Sequence, residues 1–130
     1  MESTCFNVKI VGWIFDTKER KLLLGKNPGD KSYSFLEGDL IQEEEIDVCL
    51  KRTIKEKTGF KAHNLGTIYA ENKLQNPKKM KIHFLCELSE GELNLGKNVE
   101  ELIWATPKEV EEKLGVKLPS RLHEYLYNLA

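Results

Sequence analysis

Residues 38–60 read GDLIQEEEIDVCLKRTIKEKTGF, and the spacing of their apolar side chains is the strongest indication of the fold. Apolar residues recur every four positions among charged ones, at Ile46, Leu50 and Ile54. That period is typical of an amphipathic helix with one buried face. Gly59 follows directly, and glycine commonly ends a helix. The stretch therefore predicts a helix over residues 43–57.

Strand and helix patterns alternate on both sides of this helix. A strand rich in β-branched and aromatic residues is predicted at 6–15, further strands are predicted at 22–24, 65–70, 80–88 and 101–105, and a short extended piece is predicted at 33–36. Further helices are predicted to begin at Thr106-Pro107 and at Pro119-Ser120, because proline is favoured in a first helical turn. Such interleaving predicts an α/β fold with a mixed β-sheet.

Length and composition predict a single domain over residues 1–130. Hydrophobic residues make up 40% and charged residues 32%, as in ordinary globular domains. The net charge of -1 argues against a dedicated nucleic-acid or membrane-surface protein. No run approaches the roughly 18–20 apolar residues that a membrane-spanning helix needs. Oligomeric state stays open.

The cysteines and the N-terminus indicate where the protein works. Cys5, Cys49 and Cys86 are odd in number and far apart, which predicts reduced thiols and not a disulfide framework. The first residues lack the pattern of a secretory signal peptide. We therefore expect a cytoplasmic protein.

Fixed residues within 38–60 resemble the Nudix box, G-x5-E-x7-R-E-U-x-E-E-x-G-U, in which U is a bulky aliphatic residue. The matching positions are Gly38, Glu44, Arg52, Ile54, Glu56 and Gly59, with Phe60 near the last U. The predicted helix falls where the family has its catalytic helix. The opening hairpin and the late tryptophan and proline-initiated helix are also similar to the family. The resemblance implies a Nudix-like α/β/α sandwich with a mixed sheet.

The chemistry that the resemblance implies is hydrolysis of a nucleoside diphosphate derivative by water attack on a pyrophosphate phosphorus. The transition state is highly anionic, so the reaction calls for Mg²⁺ or Mn²⁺ held by carboxylates. The resemblance assigns catalytic roles to Glu56, Glu44 and Arg52, with Glu56 also as the metal ligand. A solvated helix acid is the alternative for Glu56, and a purely structural ion pair is the alternative for Glu44 and Arg52.

Further ligand contacts are expected from Gly38, Lys57, Glu100 and Glu101. Glu100 and Glu101 lie where some family members supply another metal ligand or a general base. An acidic strand edge is the alternative for both residues, and backbone geometry is the alternative for Gly38.

The sequence departs from the box at two helix positions that normally carry carboxylates. Thr53 replaces the acid after Arg52, and Lys57 replaces the second of the paired acids. An ammonium roughly 5 Å from a divalent ion repels it by several kcal/mol even at an effective dielectric of about 20. Lys57 could instead neutralise a phosphate directly or complement the helix dipole. Leu36-Glu37 also replaces the Pro-Gly that usually precedes Gly38.

Three functions remain open at this point. The first is a divergent hydrolase with weak or absent turnover and Mg²⁺ or Mn²⁺ as its cofactor. The second is a catalytically silent domain that needs no metal and binds a nucleotide-like ligand or a protein. The third is an interaction module without a small ligand. Thr53 and Lys57 favour the second function over the first.

Overall fold

The computed structural model describes residues 5–130 of the chain. In that part the strands are β1 (Asn7–Asp16), β2 (Lys21–Lys26), β3 (Leu36–Asp39), β4 (Phe60–Lys73), β5 (Lys79–Gly91) and β6 (Glu101–Ala105). The helices are α1 (Ile46–Thr58), α2 (Pro107–Leu114) and α3 (Ser120–Asn128). None of these helices is long and apolar enough to cross a membrane.

The strands form one mixed sheet, as the sequence predicts. Its order is β4-β5-β1-β2-β6, and β3 pairs separately with β1. Strands β1 and β5 run parallel, with Ile10 opposite Ile82, whereas the other pairs are antiparallel. The antiparallel β3 brings Gly38 opposite Ile10, so residues 38–60 begin at the centre of the sheet.

Alternating residues of β1 supply both layers of the core, because successive side chains of a strand point to opposite faces. Ile10 and Ile14 belong to a buried cluster with Cys49, Leu50 and Ile54 of α1. The other face of the strand joins the helices α2 and α3 in a second cluster, which contains Val11, Trp13, Val110, Leu122 and Leu126. Helices thus cover both faces of the sheet, and the predicted α/β/α sandwich is confirmed.

The helix α1 begins three residues later than predicted. Its N-cap is Glu45, and Glu43 has a φ of 65°, which is incompatible with a right-handed helix. Ile46 is 39% exposed and lies outside the buried stripe, which instead contains Thr53. The end is as predicted, since Gly59 adopts a left-handed φ of 81° and its amide donates to the carbonyl of Lys55.

Three strands are longer than predicted. β2 extends beyond residues 22–24 at both ends, and β4 and β5 extend beyond 65–70 and 80–88 into polar residues. The register shifts between Lys61 and Ala62 and at two later points, so the apolar period is interrupted within the paired region. The predicted extended piece at 33–36 precedes β3, and only its last residue belongs to that strand.

Candidate functional site

An ion pair joins the loop before α1 to the middle of the helix. Arg52 Nε donates to Glu44 Oε2 at 2.7 Å, and Nη2 donates to Oε1 at 2.9 Å. The Glu44 side chain is only 8% exposed. Hydrogen bonding to Arg52 holds the pKa of the Glu44 carboxyl below its ordinary value and raises the pKa of Arg52 in turn. Such a two-point contact is a strong, directional charge-assisted pair, and it places both box residues at one junction.

The lowered pKa of Glu44 predicts a loss of stability in acid. A group whose pKa is lower in the folded state stabilises the fold above its unfolded pKa, near 4.5, and loses that contribution as the pH falls through the folded value. We expect Glu44→Gln to unfold at lower urea concentration at neutral pH and to show a shallower decline between about pH 5 and pH 3. The control is Glu43→Gln at the exposed neighbouring position. Identical pH profiles for the Glu44 variant and the unmodified chain would contradict this role.

Glu56 is the one helix carboxylate that survives from the box, and Arg52 also contacts it. Arg52 Nη1 lies 3.3 Å from Glu56 Oε2 and 3.5 Å from Oε1. The Glu56 side chain is 60% exposed, so this contact is weak and open to water. Arg52 therefore bridges the two acids, Glu44 tightly and Glu56 loosely.

Lys57 lies in the last turn of α1, half-buried, and its surroundings are largely backbone. Its carbonyl accepts a hydrogen bond from the Gly96 amide at 3.1 Å, and the Thr58 carbonyl accepts one from Asn94 at 2.9 Å. Within residues 5–130 the Lys57 ammonium forms no salt bridge. The position suits a cation that complements the helix dipole, and it leaves the ammonium free for another anion.

Thr53 packs directly beneath Gly38. A Cβ at residue 38 would lie 2.1 Å from Thr53 Oγ1 and 3.1 Å from Thr53 Cβ, so no larger residue fits there without movement. Thr53 is buried, and in the described part of the chain its hydroxyl has no hydrogen-bond partner. Gly38 thus packs closely against α1, a constraint that differs from both the ligand contact and the backbone geometry expected from the sequence.

The side chains present do not fit a metal cluster of the family type. Two of the three helix positions carry Thr53 and Lys57, which cannot neutralise a divalent ion, and Glu56 is shared with Arg52. Among residues 5–130, no group of three His, Cys, Asp or Glu side chains lies close enough to hold a metal. Glu56 could contribute one carboxylate, and phosphates and water would have to complete the coordination.

Glu100 and Glu101 lie at the start of β6, next to the end of β2. The Glu100 amide donates to the Lys26 carbonyl at 2.8 Å, and Glu101 is paired with Lys26 in the sheet. The Glu101 carboxylate is the main reason that the pKa of Tyr33 is raised. The Lys26 ammonium lies 5.3 Å from the centre of the Tyr33 ring. The two acids therefore belong to an exposed cluster around Tyr33.

A groove of about 450 Å³ lies beside β3. Most of the residues that line it were not identified from the sequence. Its walls come from the segment before β3, from β4 and β5, and from the α2–α3 connection. The polar and aromatic side chains that matter here are Tyr33, Glu37, Glu71, Lys73, Lys81 and His83. Glu37 of β3 lines the groove and directly precedes Gly38, whose opposite face packs against α1. We call this the β3 groove.

A buried hydrogen-bond chain runs from the core to the β3 groove. Trp13 Nε1 donates to His83 Nδ1 at 3.0 Å, and His83 Nε2 lies 3.3 Å from Glu71 Oε1. His83 is 4% exposed, and its burial lowers the pKa of the imidazole although Glu71 opposes that shift. Beside this chain, the Lys81 ammonium lies 3.3 Å from the Glu37 carboxylate. The only sign of these hydrogen bonds in the sequence is a histidine, His83, within the strand predicted at 80–88.

Comparison with known proteins gives the family. A family model described as NUDIX domain matches residues 6–126. The structure of a UDP-X diphosphatase has a TM-score of 0.80 at 19% identity, and the match covers 99% of this chain but 64% of that one. An ADP-ribose pyrophosphatase from Streptococcus suis 89-1591 has a TM-score of 0.77 at 20% identity, with 95% and 92% covered. A NUDIX-family hydrolase from Clostridium perfringens has a TM-score of 0.76 at 13% identity, with 98% and 100% covered.

No curated protein sequence matches the chain. The structural likenesses are all below 25% identity and show the fold alone. The chain spans 64% of the length of the UDP-X diphosphatase. The family model covers nearly all of residues 5–130, including residues 38–60, which resemble the Nudix box. This chain belongs to the Nudix family.

Proposed function

We propose that the chain binds a nucleoside-diphosphate-type ligand and hydrolyses its pyrophosphate link slowly or not at all. The main support for this proposal is that two of the three box carboxylates on α1 are missing. Only Glu56 remains of the three acids, it is largely exposed, and Arg52 already contacts it. Water attack on a pyrophosphate needs strong neutralisation of the developing charge. One shared carboxylate gives little of the metal binding that this requires.

The β3 groove supports the ligand-binding half of the proposal. Its volume of about 450 Å³ lies within the usual range of small-molecule sites. Tyr33 offers aromatic surface on which a base could stack, and Lys73 offers an ammonium group for phosphates. The groove is lined by Glu37, the residue directly before Gly38. This arrangement suits a ligand with an aromatic and an anionic part.

Lys57 supports a metal-free mode of binding for the phosphates. Its ammonium occupies the position of the second paired acid and, within the described chain, forms no salt bridge. A lysine there attracts a diphosphate that the family's carboxylate would repel without metal. In this mode Mg²⁺ is dispensable for binding. A catalytically silent domain is therefore the second candidate.

We propose a cytoplasmic location for the protein under both candidate functions. The free thiols of Cys49 and Cys86 support this location.

The activity prediction separates a weak hydrolase from a silent domain. With Mg²⁺ or Mn²⁺, we expect turnover of ADP-ribose, dinucleoside polyphosphates, sugar nucleotides and oxidised nucleotides at least about 100-fold below the common enzyme value of about 10 s⁻¹. Phosphate or nucleotide release would be followed by chromatography. The decisive variant is Glu56→Gln, and the matched control is Lys55→Gln on the next exposed position of the same helix.

The outcomes divide clearly. Residual turnover that Glu56→Gln abolishes and Lys55→Gln preserves identifies a weak hydrolase that uses Glu56. Binding without turnover in all three proteins identifies a silent domain. Turnover near the common enzyme value would show that other acids rebuild the site, and it would overturn the proposal.

A further inference from the structure

We propose that Glu71 selects the base of the bound nucleotide by accepting a hydrogen bond from an exocyclic amino group. Adenine and cytosine carry this group, whereas hypoxanthine and uracil carry a carbonyl oxygen at the same position. The inference rests on the proposed function, because it places the nucleotide in the β3 groove. Glu71 lines that groove with a side chain that is 23% exposed.

The orientation of Glu71 is set from the core. An indole N–H can only donate, so the Trp13 bond requires an unprotonated Nδ1 on His83. The neutral ring then carries its hydrogen on Nε2, which lies 3.3 Å from Glu71 Oε1. The tautomer therefore follows from Trp13, and His83 can only donate toward Glu71. One carboxylate oxygen is held in this way, and the other remains to accept from a ligand.

Within residues 5–130, Glu71 lies at ion-pair distance from no lysine, unlike Glu37, the other acid of the groove. Glu37 is compensated by the Lys81 ammonium at 3.3 Å. In the described part of the chain, His83 is the only group at ion-pair distance from Glu71. Burial of His83 disfavours the charged form of its imidazole. An ionised carboxylate offers only acceptors. The β3 groove thus presents one uncompensated acceptor beside aromatic side chains, where a base would lie.

Amino-bearing and keto bases interact differently with this acceptor. An amino group donates to the carboxylate, whereas a carbonyl oxygen at the same place sets two acceptors against each other and leaves both without a partner. We expect amino-bearing bases to bind about 10- to 100-fold more tightly than their keto counterparts. ADP against IDP and CDP against UDP are pairs that differ at this position of the base.

The test is isothermal titration of the full chain with these four nucleotides, without metal. ADP should bind more tightly than IDP, and CDP more tightly than UDP. Glu71→Gln keeps an oxygen for His83 but adds an amide that can donate to a carbonyl, so the preference should vanish or reverse. Glu37→Gln is the matched control in the same groove and should retain the preference. Circular dichroism would establish that both variants are folded.

Each result decides one question. Equal affinity for the members of both pairs, or a preference that Glu71→Gln leaves unchanged, overturns the assignment to Glu71 and leaves the proposed function standing. If none of the four nucleotides binds, the proposed function fails and the inference fails with it. Loss of the preference in Glu37→Gln, with the preference unchanged in Glu71→Gln, would assign the selection to Glu37 and overturn the proposal.

Discussion

Gly96→Ala is expected to lower the free energy of unfolding by about 3 kcal/mol, because the new methyl group has no room. A Cβ at residue 96 would lie 1.7 Å from the Glu56 carbonyl oxygen and 2.7 Å from the Lys57 Cα. Both atoms belong to the backbone of α1, so a side-chain rotation cannot relieve the clash. The loop must move, and the hydrogen bond from the Gly96 amide to the Lys57 carbonyl is lost with it. Urea denaturation would measure the change.

Gly29→Ala is the matched control for this prediction. Gly29 has a φ of +87°, but a Cβ there would meet no atom within 4 Å. The control therefore reports only the backbone strain of a left-handed residue, about 1–2 kcal/mol. A Gly96→Ala variant no less stable than Gly29→Ala would mean that residues 92–96 do not pack on the end of α1. The loop would then give no backbone support to the helix turn that carries Lys57.

The fold could be predicted from residues 38–60 because local period and family spacing agree there. Leu50 and Ile54 mark the buried face of α1, and Gly59 ends the helix as expected. The predicted start of α1 was wrong because acidic residues such as those at 43–45 are favoured in the first turn of a helix. The Glu44 side chain instead turns toward Arg52, eight residues further on. A contact of that range is invisible to a rule based on neighbouring residues.

The box positions were found from the sequence, but their surroundings were not. Gly38 was assigned to ligand contact or to backbone geometry, whereas its Cα lies against the side chain of Thr53. The hydrogen bonds from Trp13 through His83 to Glu71 join three strands. They depend on the register between β4 and β5, which shifts between Thr67 and Tyr69. Such shifts move every later side chain relative to its partner strand. A single sequence contains no signal that fixes them.

Restoring the missing carboxylates should produce a metal-dependent protein. Thr53→Glu with Lys57→Glu would recreate the acids around Glu56. Because Thr53 is 3% exposed and its hydroxyl has no partner in the described chain, a carboxylate there loses its hydration. We expect the metal-free double variant to lose more than about 2 kcal/mol of stability, nearly all of it from residue 53. Lys57 is half-buried in the last helical turn, so its replacement alone should cost only tenths of a kcal/mol.

Mg²⁺ should recover that loss. At about 100 times its dissociation constant, a ligand that binds only the folded state adds about 2.7 kcal/mol, which raises the Tm of a chain of this size by several degrees. The control is Thr53→Gln with Lys57→Gln, which has nearly the same volume and no added charge. It should show no response to Mg²⁺. Each single glutamate should respond less than half as strongly, because ligands of one metal act together.

The restored hydrolysis should be smaller than the restored metal binding, and the reason lies in β3. Glu37 remains where the family has a glycine, and its carboxylate is tied to Lys81 beside the β3 groove. A side chain at that position limits how closely the backbone before Gly38 approaches a bound phosphate. If the folded double variant shows no Mg²⁺-dependent rise in Tm, the carboxylates at 53, 56 and 57 do not converge. The metal-binding role of these box positions would then be wrong for this chain, while its membership of the Nudix fold would stand on the sheet order and the family match.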